Sequence, residues 1–120
     1  MADTIRVYVL NPGAERALPL DLPTNKKGVC NYHDLQALVG GMLDAVRLDP
    51  HLALYCNDEG LLVGMPPNVR TDNGTILVGT LVLSRCDDDG ETVSATDDDL
   101  ATLNAFLSDK CTRPRVDWGM

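Results

Sequence analysis

Residues 75–85, TILVGTLVLSR, constrain this chain more than any other stretch. Read as an extended strand, Ile76, Val78, Thr80, Val82 and Ser84 share one side, and Leu77, Gly79, Leu81, Leu83 and Arg85 share the other. Apolar residues on both sides place such a strand centrally in a sheet, where neither face meets water. The rest of the fold has to be arranged around it.

Residues 5–10 alternate Ile5, Val7 and Val9 with Arg6, Tyr8 and Leu10, and stop at the turn tripeptide Asn11-Pro12-Gly13. A partner strand is expected over 15–22. Pro19 cannot donate to a ladder, so this second strand belongs at an edge. After a polar loop, Asn31 can cap a helix over 32–46, whose apolar residues Leu35, Leu38, Val39, Met42, Leu43 and Val46 recur at helical spacing. Gly40-Gly41 lies inside that face and costs about 1 kcal/mol per residue against alanine. It therefore implies either a close backbone neighbour or a helix that ends after Val39.

Two short strands over 52–56 and 61–65 form a hairpin through Asn57-Asp58-Glu59-Gly60, and Pro66-Pro67-Asn68 ends the second. A further short strand is possible over 92–95, and a last helix over 97–108 carries Leu100, Leu103, Phe106 and Leu107. The order ββαβββα describes a single α+β domain over 1–109, with a mainly antiparallel sheet of about five strands covered on one face by two helices. An irregular tail follows over 110–120.

The formal net charge is -8, from 10 basic and 18 acidic residues. Seven of the acids, Asp87, Asp88, Asp89, Glu91, Asp97, Asp98 and Asp99, lie within one window that contains no base. Asp87-Asp88-Asp89-Gly90 is turn chemistry, and Thr96-Asp97-Asp98-Asp99 is a helix start with Thr96 as cap and Asp99 closing a short capping box. With no basic run beyond Lys26-Lys27, direct binding of nucleic acid or of an anionic membrane is not expected. No stretch approaches a spanning helix or a signal peptide, and the expected location is cytoplasmic.

Chemistry-bearing residues are sparse. Cys30, Cys56, Cys86 and Cys111 form no Cys-x-x-Cys pair, so neither a zinc ribbon nor a redox pair is expected. Cys30 with His33, or His51 with Cys56, could supply a thiol and a base, yet neither pair stands in a known catalytic signature. A calcium loop with Gly90 at its sixth position would place Arg85 first and Thr96 twelfth, where acids are needed, and the register fails. No catalytic residue, metal or cofactor is assigned. The glycine pair has neither the Gly-x-Gly-x-x-Gly nor the Gly-Lys-Ser/Thr of a nucleotide loop.

Four segments taken together are more informative: Leu38-Val39-Gly40-Gly41-Met42, Leu54-Tyr55-Cys56-Asn57-Asp58-Glu59-Gly60, Gly64-Met65-Pro66-Pro67-Asn68 and Ile76-Leu77-Val78-Gly79-Thr80. In this order the chain resembles, over 5–108, a small uncharacterised domain family of bacteriophages, plasmids and conjugative elements. What the resemblance implies is an accessory protein of mobile elements, of the kind that acts against host defence or takes over host machinery. The expected function is non-enzymatic binding of a host protein or a small molecule. Asn57, Asp58, Glu59, Asn68 and Arg70 are the candidate contact residues, because they offer amide, carboxylate and guanidinium groups on constrained loops. The first alternative is an acidic mimic of nucleic acid built on Asp87, Asp88, Asp89 and Glu91; the second is a small hydrolase or metal-binding protein. Oligomeric state is left open by the possible edge strand.

Overall fold

The structure, a computed structural model, describes residues 4–23, 32–60, 62–88 and 92–112. They form, in chain order, β1 (Thr4–Leu10), β2 (Leu18–Pro23), α1 (Tyr32–Val39), β3 (Leu43–Asp49), β4 (Leu52–Asn57), β5 (Pro67–Thr71), β6 (Ile76–Val78), β7 (Leu81–Cys86), β8 (Thr92–Val93), α2 (Asp97–Lys110) and β9 (Cys111–Thr112). The α+β class and the antiparallel pairing are as expected. The strands among the described residues number nine rather than about five, and their order differs.

The main sheet runs β2-β1-β7-β4-β3, with β8 paired to the far end of β7. A second sheet runs β6-β5-β9. β7 is central, between β1 and β4, as its two apolar faces require. Leu81 and Leu83 point to one side with Tyr8, Leu10, Leu52 and Leu54, where Leu103 of α2 and Val69 and Leu77 of the small sheet complete a core. Val82 points to the other side with Ile5, Val7 and Leu22, under Leu35 and Val39 of α1. The helices therefore cover opposite faces of the main sheet rather than one.

Five segments depart from expectation. The continuous strand over 75–85 is broken at Gly79, whose φ of +73° turns the chain so that β6 and β7 join different sheets. The helix over 32–46 stops at Val39. Gly40, at φ +83°, and Gly41 both donate to Gln36 O, a glycine C-cap, and beyond it Leu43 and Val46 lie in β3, where they pack on opposite faces of the sheet. Residues 62–64 form a turn and Met65 lies in no strand, so β4 pairs with β3 and β7. Pro67 opens β5 rather than ending a strand, which the first position of a strand tolerates. Near the C-terminus, Lys110 closes α2 and Cys111–Thr112 pairs with β5, where the sequence reading places an irregular tail; 113–120 lie outside the described residues.

β2 occupies a sheet edge, as Pro19 suggests. The backbone of Arg6 is engaged on the side of β1 away from β2, its N–H donating to Ser94 Oγ at 3.0 Å and its carbonyl accepting from Ala95 N at 2.8 Å. Ile5, Val7 and Val9 therefore bond to Leu22, Leu20 and Leu18, leaving Pro19, Asp21 and Pro23 facing outward. Of the three outward residues only Asp21 has an N–H to offer.

Candidate functional site

The four segments singled out in the sequence are scattered along the chain, and the fold gathers them at one end. Asn57, at the end of β4, donates from Nδ2 to Val39 O at 3.3 Å and accepts at Oδ1 from Glu59 N at 2.8 Å. It thus ties the C-terminus of α1 to the 57–60 turn. A Cβ on Gly41 would stand 2.7 Å from this amide, which explains why a side chain is excluded there. Asn68 is fully buried at the start of β5 and donates from Nδ2 to both Leu10 O and Gly79 O at 2.8 Å. One side chain thereby joins β1, β5 and the bend between β6 and β7.

Met65 sits among three of the glycines. Cβ atoms built on Gly40, Gly60 and Gly79 would lie 3.3, 3.4 and 2.8 Å from its side chain. A flexible thioether fits such an irregular socket better than a branched residue would. The backbone closes around it: Gly79 N donates to Pro66 O at 2.8 Å, Met65 N to Gly60 O at 3.0 Å, Val63 N to Glu59 O at 3.1 Å and Asp58 N to Met42 O at 3.1 Å. The loop between β4 and β5 is consequently pinned from several sides.

What this pinned loop presents is apolar. Leu62 is 87 % exposed and Val63 63 %, while Asp58 and Glu59 are exposed on the turn that leads into them. Met42, whose carbonyl holds Asp58, is 58 % exposed. Beside Leu62 a half-enclosed depression of about 340 Å³ opens towards β6, walled by Ile76, Leu77 and Val78 and edged by Asp44 and Asp58.

The candidate contact residues therefore separate. Asn57 and Asn68 turn their amides inward, Asp58 and Glu59 face solvent, and Arg70 is exposed on β5 opposite Ile76 and Thr112. Leu62, Val63 and Met65 were not candidates. Their signal in the sequence is the apolar triplet 61–63 between Gly60 and Gly64, followed by Met65, which also fits the strand expected there.

The acidic window separates too. Asp99 is 2 % exposed and forms a bidentate pair with Arg85, Oδ2 to Nε at 2.8 Å and Oδ1 to Nη2 at 2.7 Å. It also completes the capping box with Thr96. The Arg85 guanidinium holds its carboxyl below the usual carboxylate value, helped by the Thr96 bonds and opposed by burial. Asp97 and Asp98 are exposed in the first turn of α2. Asp87 is half-buried, exposed Asp88 bonds His51 Nε2 at 2.7 Å, and Asp89 and Glu91 lie outside the described residues.

His51 precedes β4 and Cys56 lies near its end, about 16 Å away at the rise of an extended strand, too far to act together. Burial, with Asp44 and Asp58 nearby, pushes the Cys56 thiol up to about 11, so it is protonated and inert at neutral pH. Cys86 is the thiol nearer to His51: its backbone N donates to His51 O, and its Sγ accepts from Arg47 Nη1 at 3.8 Å. Cys30 lies outside the described residues, as does the side chain of His33. Among the described residues no group of three or more His, Cys, Asp or Glu could hold a metal ion, and no helix is long and apolar enough to cross a membrane.

A family model described as a domain of unknown function, DUF3846, matches residues 5–108. No curated protein and no solved structure matches the chain.

Proposed function

The chain belongs to the DUF3846 family, a domain of unknown function, and from that premise we propose that it is a non-enzymatic accessory protein of a phage or other mobile element that binds a host protein in the cytoplasm. A role against host defence is the context in which such capture is useful. The observation that supports binding is the pair Leu62 and Val63, large apolar side chains held out in water by a loop whose backbone is fixed. Burying a leucine or valine is worth roughly 1.5–3 kcal/mol each, and a loop already rigid loses little entropy on docking. Asp58 and Glu59 provide a polar, acidic margin to this apolar tip.

The test is affinity capture from host cells with wild-type protein and a Leu62→Asp, Val63→Asp variant, followed by mass spectrometry. A specific host protein should be recovered at near-stoichiometric amount by the wild type and lost by the variant, with melting temperatures that agree. The same proteins recovered by both would remove the loop from the binding surface.

A further inference from the structure

The depression beside Leu62 combines features that select one kind of guest. Its apolar lining is Ile76, Leu77 and Val78 with exposed Leu62, and Cys56, Asn57 and Thr75 line it too. Two carboxylates, Asp44 from β3 and Asp58 from the turn after β4, edge it, and none of the residues that line it is basic. The turn is anchored by the Asp58 N bond to Met42 O and by the Asn57 amide, so Asp58 is carried on a fixed backbone, while Asp44 is carried on a strand. Both carboxylates lie near enough to Cys56, which also lines the depression, to help burial raise its thiol. An apolar stem ending in a positive charge complements both the apolar lining and the two carboxylates, which would repel an anion.

We propose that this depression receives a lysine or arginine side chain of the protein that docks on Leu62 and Val63. The methylene stem lies against Ile76 and Val78, and the ammonium or guanidinium reaches Asp44 and Asp58. This rests on the binding role given to the 62–63 tip and specifies the partner's chemistry: an apolar pocket bordered by at least one basic residue. A free alkylamine carries the same chemistry, and the experiment separates it from a peptide-borne side chain.

Backbone amide NMR shifts are followed while acetyl-lysine amide, acetyl-arginine amide, n-butylamine and the uncharged acetyl-norleucine amide are titrated separately. The cationic amino-acid probes should give saturable shifts at Asp44, Asn57, Asp58, Ile76 and Leu77. Acetyl-norleucine amide should bind roughly fivefold to tenfold more weakly, as should the cationic probes on an Asp44→Asn, Asp58→Asn variant. Raising the salt concentration should weaken the cationic probes alone. Tighter binding of n-butylamine than of either amino-acid probe would overturn the peptide-borne guest in favour of a free amine. Equal binding of norleucine, unchanged binding by the variant, or no saturable shift would overturn the site. If the probes fail while Leu62→Asp, Val63→Asp still abolishes capture, the basic guest is wrong and the binding role stands.

Discussion

Two buried polar side chains show how far a single residue reaches in this domain. Asn68 satisfies two carbonyls from distant segments, and an aspartate in its place would have no hydrogen for either when ionised and one at most when protonated. Asn68→Ala should cost about 2–4 kcal/mol in urea unfolding, and Asn68→Asp more, because a charge would be stranded at a fully buried position. Equal stability of Asn68→Asp and the parent would refute the assigned bonds. Cys56 makes a pH statement. Its thiol is raised to about 11 from an ordinary 9.0, so the folded state keeps a proton that the unfolded chain releases between those values. Stability contributed below pH 9 is lost as pH rises towards 11, by on the order of 2–3 kcal/mol. A Cys56→Ala variant should lack that part of the alkaline decline, read as the difference between two unfolding curves against pH.

At the scale of elements, α2 is the part most fully legible in the sequence. Its capping box needs only Thr96 and Asp99 three residues apart, a local relation, and the structure contains it. What locality could not reveal is Arg85, fourteen residues earlier, locking the same carboxylate. Asp99→Ala should therefore cost more than an ordinary cap, about 2–3 kcal/mol, since it removes the bond that the carboxylate accepts from Thr96 N together with a partly buried ion pair. With its carboxyl held below the usual value, Asp99 contributes stability that is complete above about pH 4 and is lost as pH falls further. Asp99→Asn should flatten the acid limb of the stability profile; an unaltered limb would assign acid sensitivity elsewhere. β1 and edge strand β2 were legible for the same local reasons, alternation and proline. α1 was overrun because Met42, Leu43 and Val46 suit a helical stripe as well as a strand, and only the sheet edge awaiting β3 decides between them. The break at Gly79 was hidden because the alternation of residues 75–85 runs through it undisturbed. Asn57 and Asn68 were noticed for donor groups they do possess, but which way an amide turns depends on Val39, Leu10 and Gly79, and contacts across the chain leave no local trace.

For the whole molecule, the layered arrangement puts its chemistry at the periphery. α1 and α2 with the small sheet cover opposite faces of the main sheet, so a partner must be met at the ends or edges. The edge at β3 carries Asp44, Arg47 and Asp49 and an irregularity in register, both obstacles to strand addition. The edge at β2 lacks outward donors at Pro19 and Pro23. Sedimentation velocity should find the parent monomeric at concentrations where a Pro19→Thr, Pro23→Thr variant, with two donors restored, self-associates. A parent that dimerises, and does so no more weakly than the variant, would show that the prolines do not guard this edge.

In the language of polymerisation, each outward N–H on an edge strand is a reactive end, and growth of a sheet is addition at such ends. Two copies of β2 meeting antiparallel about Asp21 could close only the mutual pair of bonds at that residue, since Pro19 of each would face Pro23 of the other with no hydrogen between them. β2 is thus a chain terminator written into the monomer: even at high local concentration, addition at this side stops at one short, two-bond contact.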